Sequence, residues 1–276
     1  MPYAVTVLTR YARSWSIAAV LLALGSAPSA AAPPQKLEAR FEVFGFAGIH
    51  LLTNRTTVEE AAHQYGITMN LDTRGLARVF VDLTSHSDVR GDLDGDTAHP
   101  QLYRSDVSRN GVGRHYRVDY GEDGTVVDAS TRPSSGSPLP VTKEQIRSTV
   151  DQLTAYFLLE RQLSDRGTCA MVVRVFDGSG LYNLRFTNFK RETLTADGYQ
   201  NFAGPAQSCE VVRQDLVTNP DGSERTYQRG RIWYARVVPG DDVMPVRMEY
   251  DTALGVVKGY LAEVRGTGID LYLMRE

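Results

Sequence analysis

The chain has 276 residues, 42% of them hydrophobic and 23% charged, enough apolar content for a sizeable core and far from the composition of a disordered chain. With 30 Lys and Arg against 33 Asp and Glu, a net charge of −3 and a pI near 6.0, its overall charge directs it neither to nucleic acid nor to anionic head groups. Two Cys and 24 Gly exclude disulfide-dense and collagen-like classes, and just one segment approaches the length and apolarity of a membrane crossing.

That segment, Ile17 to Ala27, follows Arg10 and Arg13 and precedes the small residues Ser29-Ala30-Ala31. It is shorter than the ~20 apolar residues of a spanning helix and fits a secretory signal peptide cleaved near Ala31. Cleavage would take the net charge from −3 to −5 and leave one domain, residues 32–276, in an oxidising periplasmic compartment. There the only two cysteines, Cys169 and Cys209, are expected to form a disulfide. No C-x-x-C and no neighbouring His argue for a redox or nucleophilic role.

From Lys36 onward the dominant period is two. Tyr65, Ile67, Met69 and Leu71 alternate with polar residues, which places one face of a strand on a core and the other in water. Similar runs occur at residues 37–50, 53–60, 76–89, 101–107, 114–120, 125–128 and, later in the chain, 170–176, 181–189, 206–217, 231–238, 244–250, 256–264 and 269–274. About fourteen strands result. Asn110-Gly111, Asp123-Gly124, Asp177-Gly178, Asn219-Pro220-Asp221-Gly222 and Pro239-Gly240 supply the turns of successive antiparallel hairpins.

One stretch breaks the alternation. After a Pro/Ser/Gly-rich loop at residues 131–140, Thr142 and Gln145 have the spacing of a capping box, and Ile146, Val150, Leu153, Phe157 and Leu158 mark one helical stripe up to Leu163. The pattern predicts a single amphipathic helix over about 142–163. The fold class is therefore mainly β: a curled antiparallel sheet forming a partly open β-barrel or spiral, with one amphipathic helix inserted mid-chain. The helix is expected to plug the barrel, the alternative being a helix laid against an outer sheet face.

Chemical motifs are sparse. Asp92, Asp94 and Asp96 open like a calcium loop, but Thr97 replaces the turn glycine and Tyr103 the closing Glu, so an acidic hairpin loop is expected and weak calcium binding stays open. Glu60 and His63 fall at a strand end and turn, where they diverge. The five His residues, His50, His63, His86, His99 and His115, have no metal-ligand spacing, and no metal or cofactor site is expected. Ser85-His86-Ser87-Asp88 holds the residue types of a triad, but neighbours on a strand alternate faces. There is no nucleophile elbow, dinucleotide fingerprint or phosphate loop. No catalytic residue is assigned and a non-enzymatic protein is expected, a hydrolase assembled from distant strands being a remote alternative. Tyr116, Tyr120, Tyr182, Phe186, Trp233, Tyr234, Tyr250 and Tyr260 are candidates to line an apolar cavity or to fill a core.

Several stretches together resemble the domain of unknown function 3108 family of exported bacterial proteins. They are Phe41-Glu42-Val43-Phe44, residues 151–155, the hairpin from Val175-Phe176-Asp177-Gly178 to residues 182–186, Cys169 with Cys209, Ile232-Trp233-Tyr234, Pro245-Val246-Arg247 and Leu254-Gly255. The likeness runs from about Arg40 to Leu261 and implies a periplasmic, mostly β protein without an assigned activity. More distantly the layout is similar to periplasmic β-spiral envelope-integrity proteins and lipoprotein-carrier barrels, as an analogy of fold. Two functions follow as expectations. One is a protein supporting the cell envelope, peripheral to the membrane at most, that binds a lipid or other hydrophobic ligand in its barrel. The other is a structural or adaptor module acting on an envelope protein.

Overall fold

The computed structural model describes residues 35–133, 141–217, 227–238, 242–252, 255–266 and 268–274. The expected signal peptide and the turns at Asn219-Gly222 and Pro239-Gly240 lie outside them. The strands are β1 (Gln35–Phe44), β2 (His50–Ala61), β3 (Gln64–Thr73), β4 (Leu83–Asp94), β5 (Thr97–Arg109), β6 (Val112–Tyr120), β7 (Val126–Arg132), β8 (Met171–Phe176), β9 (Leu181–Leu194), β10 (Gly204–Asp215), β11 (Tyr227–Ala235), β12 (Met244–Thr252), β13 (Gly255–Gly266) and β14 (Ile269–Tyr272). Three helices, α1 (Ala77–Phe80), α2 (Lys143–Ile146) and α3 (Gln152–Arg166), interrupt them.

All fourteen strands join one antiparallel sheet in the order β7-β6-β5-β4-β3-β2-β1-β13-β12-β11-β10-β9-β8, with β14 added to β13. The first and last described strands thus lie mid-sheet, and the two outermost strands, β7 and β8, are consecutive in sequence. Turn chemistry sets the hairpins: Asn110 (φ 51°) and Gly111 (φ 81°) both take the left-handed conformation that a two-residue connection between β5 and β6 requires. At Gly91, where the β4–β5 register shifts, a Cβ would stand 2.2 Å from the His99 carbonyl oxygen, so only glycine fits.

The expected single helix over 142–163 is divided. The capping box at Thr142 and Gln145 forms, but it starts only the one-turn α2. Thr149 and Val150, β-branched and poor in helix, leave it for extended backbone, and Asp151 begins α3 by accepting the Thr154 N–H at 3.0 Å. The break puts a bridge between the two edges of the open sheet. The sheet does not close by pairing β7 with β8; instead the 147–150 segment spans the gap. Val126 N–H of β7 donates to the Arg147 carbonyl (3.1 Å), Val150 N–H donates to Arg174 of β8 (3.1 Å), and Phe176 N–H donates back to Val150 (2.9 Å). One edge group of β7 and two of β8 are thereby satisfied where they would otherwise be open to another chain.

A second correction concerns the stripe. Leu153 and Phe157 enter a core with Tyr65, Ile67, Val89, Tyr103, Val118 and Tyr120 of β3–β6. Ala155, Leu159 and Leu163 enter another, with Tyr182, Leu184, Phe186, Val211, Ile232 and Tyr234 of β9–β11. The helix is buried on two sides, the pattern of a plug inside the curled sheet rather than of a helix laid on a surface. Two boundaries also differ: Thr131 and Arg132 belong to β7 rather than to the following loop, and the start of the run at 76–89 is the short helix α1, with β4 beginning at Leu83.

A third cluster lies around Phe41, Ala206, Trp233, Val246, Leu261 and Val264. Here β13 exchanges β12 for β14 along one side. The split is bridged by the buried Gln200, whose Nε2 donates to the Val246 (2.8 Å) and Leu261 (3.0 Å) carbonyls.

Candidate functional site

Function in a curled barrel resides in what fills or lines the curl, and here that is α3. On its β3–β6 side the Tyr65 ring stacks on Phe157 with centroids 5.0 Å apart and planes at 11°. The Tyr65 hydroxyl meets Thr154 Oγ1 at 2.8 Å, and Thr154 Oγ1 donates to Asp151 at 2.6 Å. Burial pushes the carboxyl of Asp151 up to about 6, against the lowering effect of the Thr154 side-chain and backbone donors. Tyr65, Tyr103 and Tyr120 are all raised by burial and then by nearby carboxylates. These hydroxyls stay protonated in any physiological medium, and the cluster is an aromatic lining with a few buried polar clips.

On the opposite side, Gln152, Tyr156, Tyr182, Leu184, Val211, Arg213, Gln228 and Tyr250 line a cavity of about 120 Å3 between α3 and β9–β12. Arg213 lies 3.7 Å over the Tyr182 ring and donates from Nε to Asp215 at 2.9 Å, while Tyr182 donates to Asp177 at 2.8 Å. The cavity has one cation, already paired, and no nucleophile. Towards the C-terminal end of α3, burial first and then the carboxylates of Glu60 and Asp242 push Glu160 up to about 8. Next to it Arg161 donates to Glu60 (3.1 Å) and to the Gly95 carbonyl (3.0 Å), tying the plug to β2 and to the β4–β5 turn.

The residues singled out in the sequence fall as follows. Cys169 and Cys209 are bonded, with Cα atoms 5.8 Å apart, and join the segment after α3 to β10. Asp92, Asp94 and Asp96 surround the β4–β5 hairpin as an acidic turn: Asp92 accepts from Gln101 at 2.6 Å, Asp96 accepts from Arg166 at 3.1 Å, and Asp94 is exposed. Among the described residues no group of three or more His, Cys, Asp or Glu is arranged to hold a metal ion. Glu60 is the last residue but one of β2 and His63 lies exposed in the turn beyond. Ser87 is buried against Ser105 (2.8 Å), whereas the neighbouring His86 is exposed and bonds Asn70 (2.7 Å), so the residue types of a triad do diverge. Of the aromatic candidates, Tyr120, Tyr182, Phe186, Tyr234 and Tyr250 surround α3. Tyr116 packs beside Gly178, Trp233 belongs to the third cluster, and Tyr260 stacks on Tyr199 at 5.2 Å. Asp151, Glu160, Arg213 and Gln200 were not visible as site residues. A helix N-cap is readable at Asp151, but nothing in a sequence marks Gln200 as a clip between strands.

The family described as Protein of unknown function (DUF3108) matches residues 40–262. The chain belongs to that family. A structural likeness extends to the crystal structure of a beta-barrel-like protein of domain of unknown function DUF1849 from Brucella abortus, with a TM-score of 0.50 and 15% identity over 86% of this chain and 99% of that one. At that identity the likeness is one of fold. No curated protein matches the chain.

Proposed function

We propose that this member of the DUF3108 family is a non-enzymatic, exported protein that supports the bacterial cell envelope as a binding module, and that it acts on a protein partner through its outer surface. The observation that carries the choice is the occupancy of the barrel by α3. Pockets for hydrophobic ligands measure roughly 300–1,000 Å3, and the cavity beside the helix is about 120 Å3. A lipid carrier of this shape needs α3 to leave, which breaks its aromatic packing and the Arg161–Glu60 link together. Export rests on the N-terminal sequence and agrees with the disulfide.

The carrier reading is retained as the second, because Tyr156, Tyr182 and Tyr250 give the small cavity an amphipathic aromatic wall. Native mass spectrometry with organic extraction of the protein purified from its own envelope fraction separates the two. Retention of a polypeptide, cross-linked to outer-face or edge positions, without lipid is the expected result. Near-stoichiometric lipid displaces the adaptor reading in favour of the carrier.

A further inference from the structure

Three neighbouring loops meet at one end of the sheet, those joining β1–β2, β3–β4 and β5–β6, beside the first residues of β13. Their adjacency follows from the strand order and is fixed by hydrogen bonds. Arg74 N–H donates to the Leu51 carbonyl (2.8 Å), and Asp82 and Asn110 exchange bonds of 2.7 and 2.9 Å, while the Gly45 N–H bond to the Ile49 carbonyl (2.9 Å) closes the β1–β2 loop on itself. These ordered loops carry a concentration of bare apolar side chains. Phe46 keeps 82% of its surface exposed, Leu76 73%, Val79 80% and Val112 62%, with Ile49 and Val256 beside them. Six of the ten large apolar residues exposed among the described residues are thus gathered at one end, an arrangement that marks an interaction surface.

Charge identifies the partner. The segments 45–50, 74–82 and 109–114 contain four basic residues, Arg74, Arg78, Arg109 and Arg114, against Asp82, which accepts from Arg78 at 3.1 Å; Asp72, just before them, lies 3.8 Å from Arg74. The chain as a whole is at −3, whereas these three loops, with Asp72 counted, hold four basic residues against two acidic ones. Side chains that retain 73–82% of their surface stand out singly and form no socket, whereas the anchors of a protein interface pair with pockets. A bilayer accepts protruding apolar side chains without a matching cavity, and anionic head groups draw basic neighbours. We propose that this end of the barrel docks on an anionic membrane surface, with Phe46, Leu76 and Val79 entering the interface and Arg74 and Arg78 meeting the head groups.

The chain from Ala32, which holds every described element, is sedimented with phosphatidylglycerol/phosphatidylethanolamine vesicles and with phosphatidylcholine vesicles. Binding to the anionic vesicles, weak on the zwitterionic ones and reduced by salt, is the expected result. Phe46→Ser with Leu76→Ser lowers the partition coefficient more than tenfold, and Arg78→Gln about fivefold. These positions are exposed, so melting curves that match the wild type show the variants folded. Absence of binding by the wild type, or equal binding by the variants, overturns the proposal. A concentration-dependent dimer that Val79→Asp abolishes, with no vesicle binding, overturns it in favour of contact between copies.

Discussion

Replacing both Cys169 and Cys209 by alanine removes a cross-link between residues 40 apart in sequence, both fully buried at the junction of α3, β9 and β10. In the chain-entropy description a loop of that length contributes roughly 4 kcal/mol by restricting the unfolded state. With about 2.1 cal/mol/K of unfolding entropy per residue, a domain of this size loses about 2 °C of Tm per kcal/mol, so the double variant should melt about 8 °C lower. The neighbourhood softens the loss little. Cys169 N–H is held by Asn188 Oδ1 at 2.8 Å, and Asn188 is held in turn by Gln207 at 2.7 Å; both bonds survive the substitution. Far-ultraviolet circular dichroism melts of the two proteins, without reductant, read the effect. Because both sulfurs are buried, variants are a cleaner perturbation than reductant. A difference below about 2 °C refutes the loop-entropy reasoning and means that the denatured chain keeps residues 169 and 209 close.

Phe157→Ala empties the centre of the β3–β6 core and unstacks Tyr65, and should cost about 3–5 kcal/mol, read as a shift of the urea midpoint at unchanged m. Gln200→Ala leaves the Val246 and Leu261 carbonyls without their shared donor where the sheet splits; about 2 kcal/mol is expected, with faster amide exchange localised to β12, β13 and β14. Glu160 holds its proton more tightly folded than unfolded, since its folded pKa, about 8, lies above the ordinary carboxylate value. Its favourable contribution is complete below about pH 4.5 and is lost as pH rises through 8, so Tm should fall over that window. Glu160→Gln flattens the fall, and an unchanged profile in the variant means the group is not held neutral.

Sequence alone determined the strands. Alternation of Tyr65, Ile67, Met69 and Leu71, and turn pairs such as Asn110-Gly111, are local signals with local causes, and the fourteen runs read from them correspond one to one with the strands of the sheet. The cysteine pair was legible for the same kind of reason, there being no other partner for either thiol. Tertiary structure decided the course of residues 142–166. A helical period cannot reveal that Arg147 and Val150 are needed as a bridge between β7 and β8, because the groups they satisfy lie on strands elsewhere in the chain. It also decided that α3 is buried on two sides. Leu153 and Phe157 read as part of one stripe running to Leu163, and nothing local marks Ala155 and Leu159 as core until the sheet, by curling, puts a second wall behind them. The cavity size, the Gln200 clip and the gathering of Phe46, Leu76 and Val79 at one end follow from that curl. Each depends on residues distant in sequence, and chain order alone does not encode their proximity.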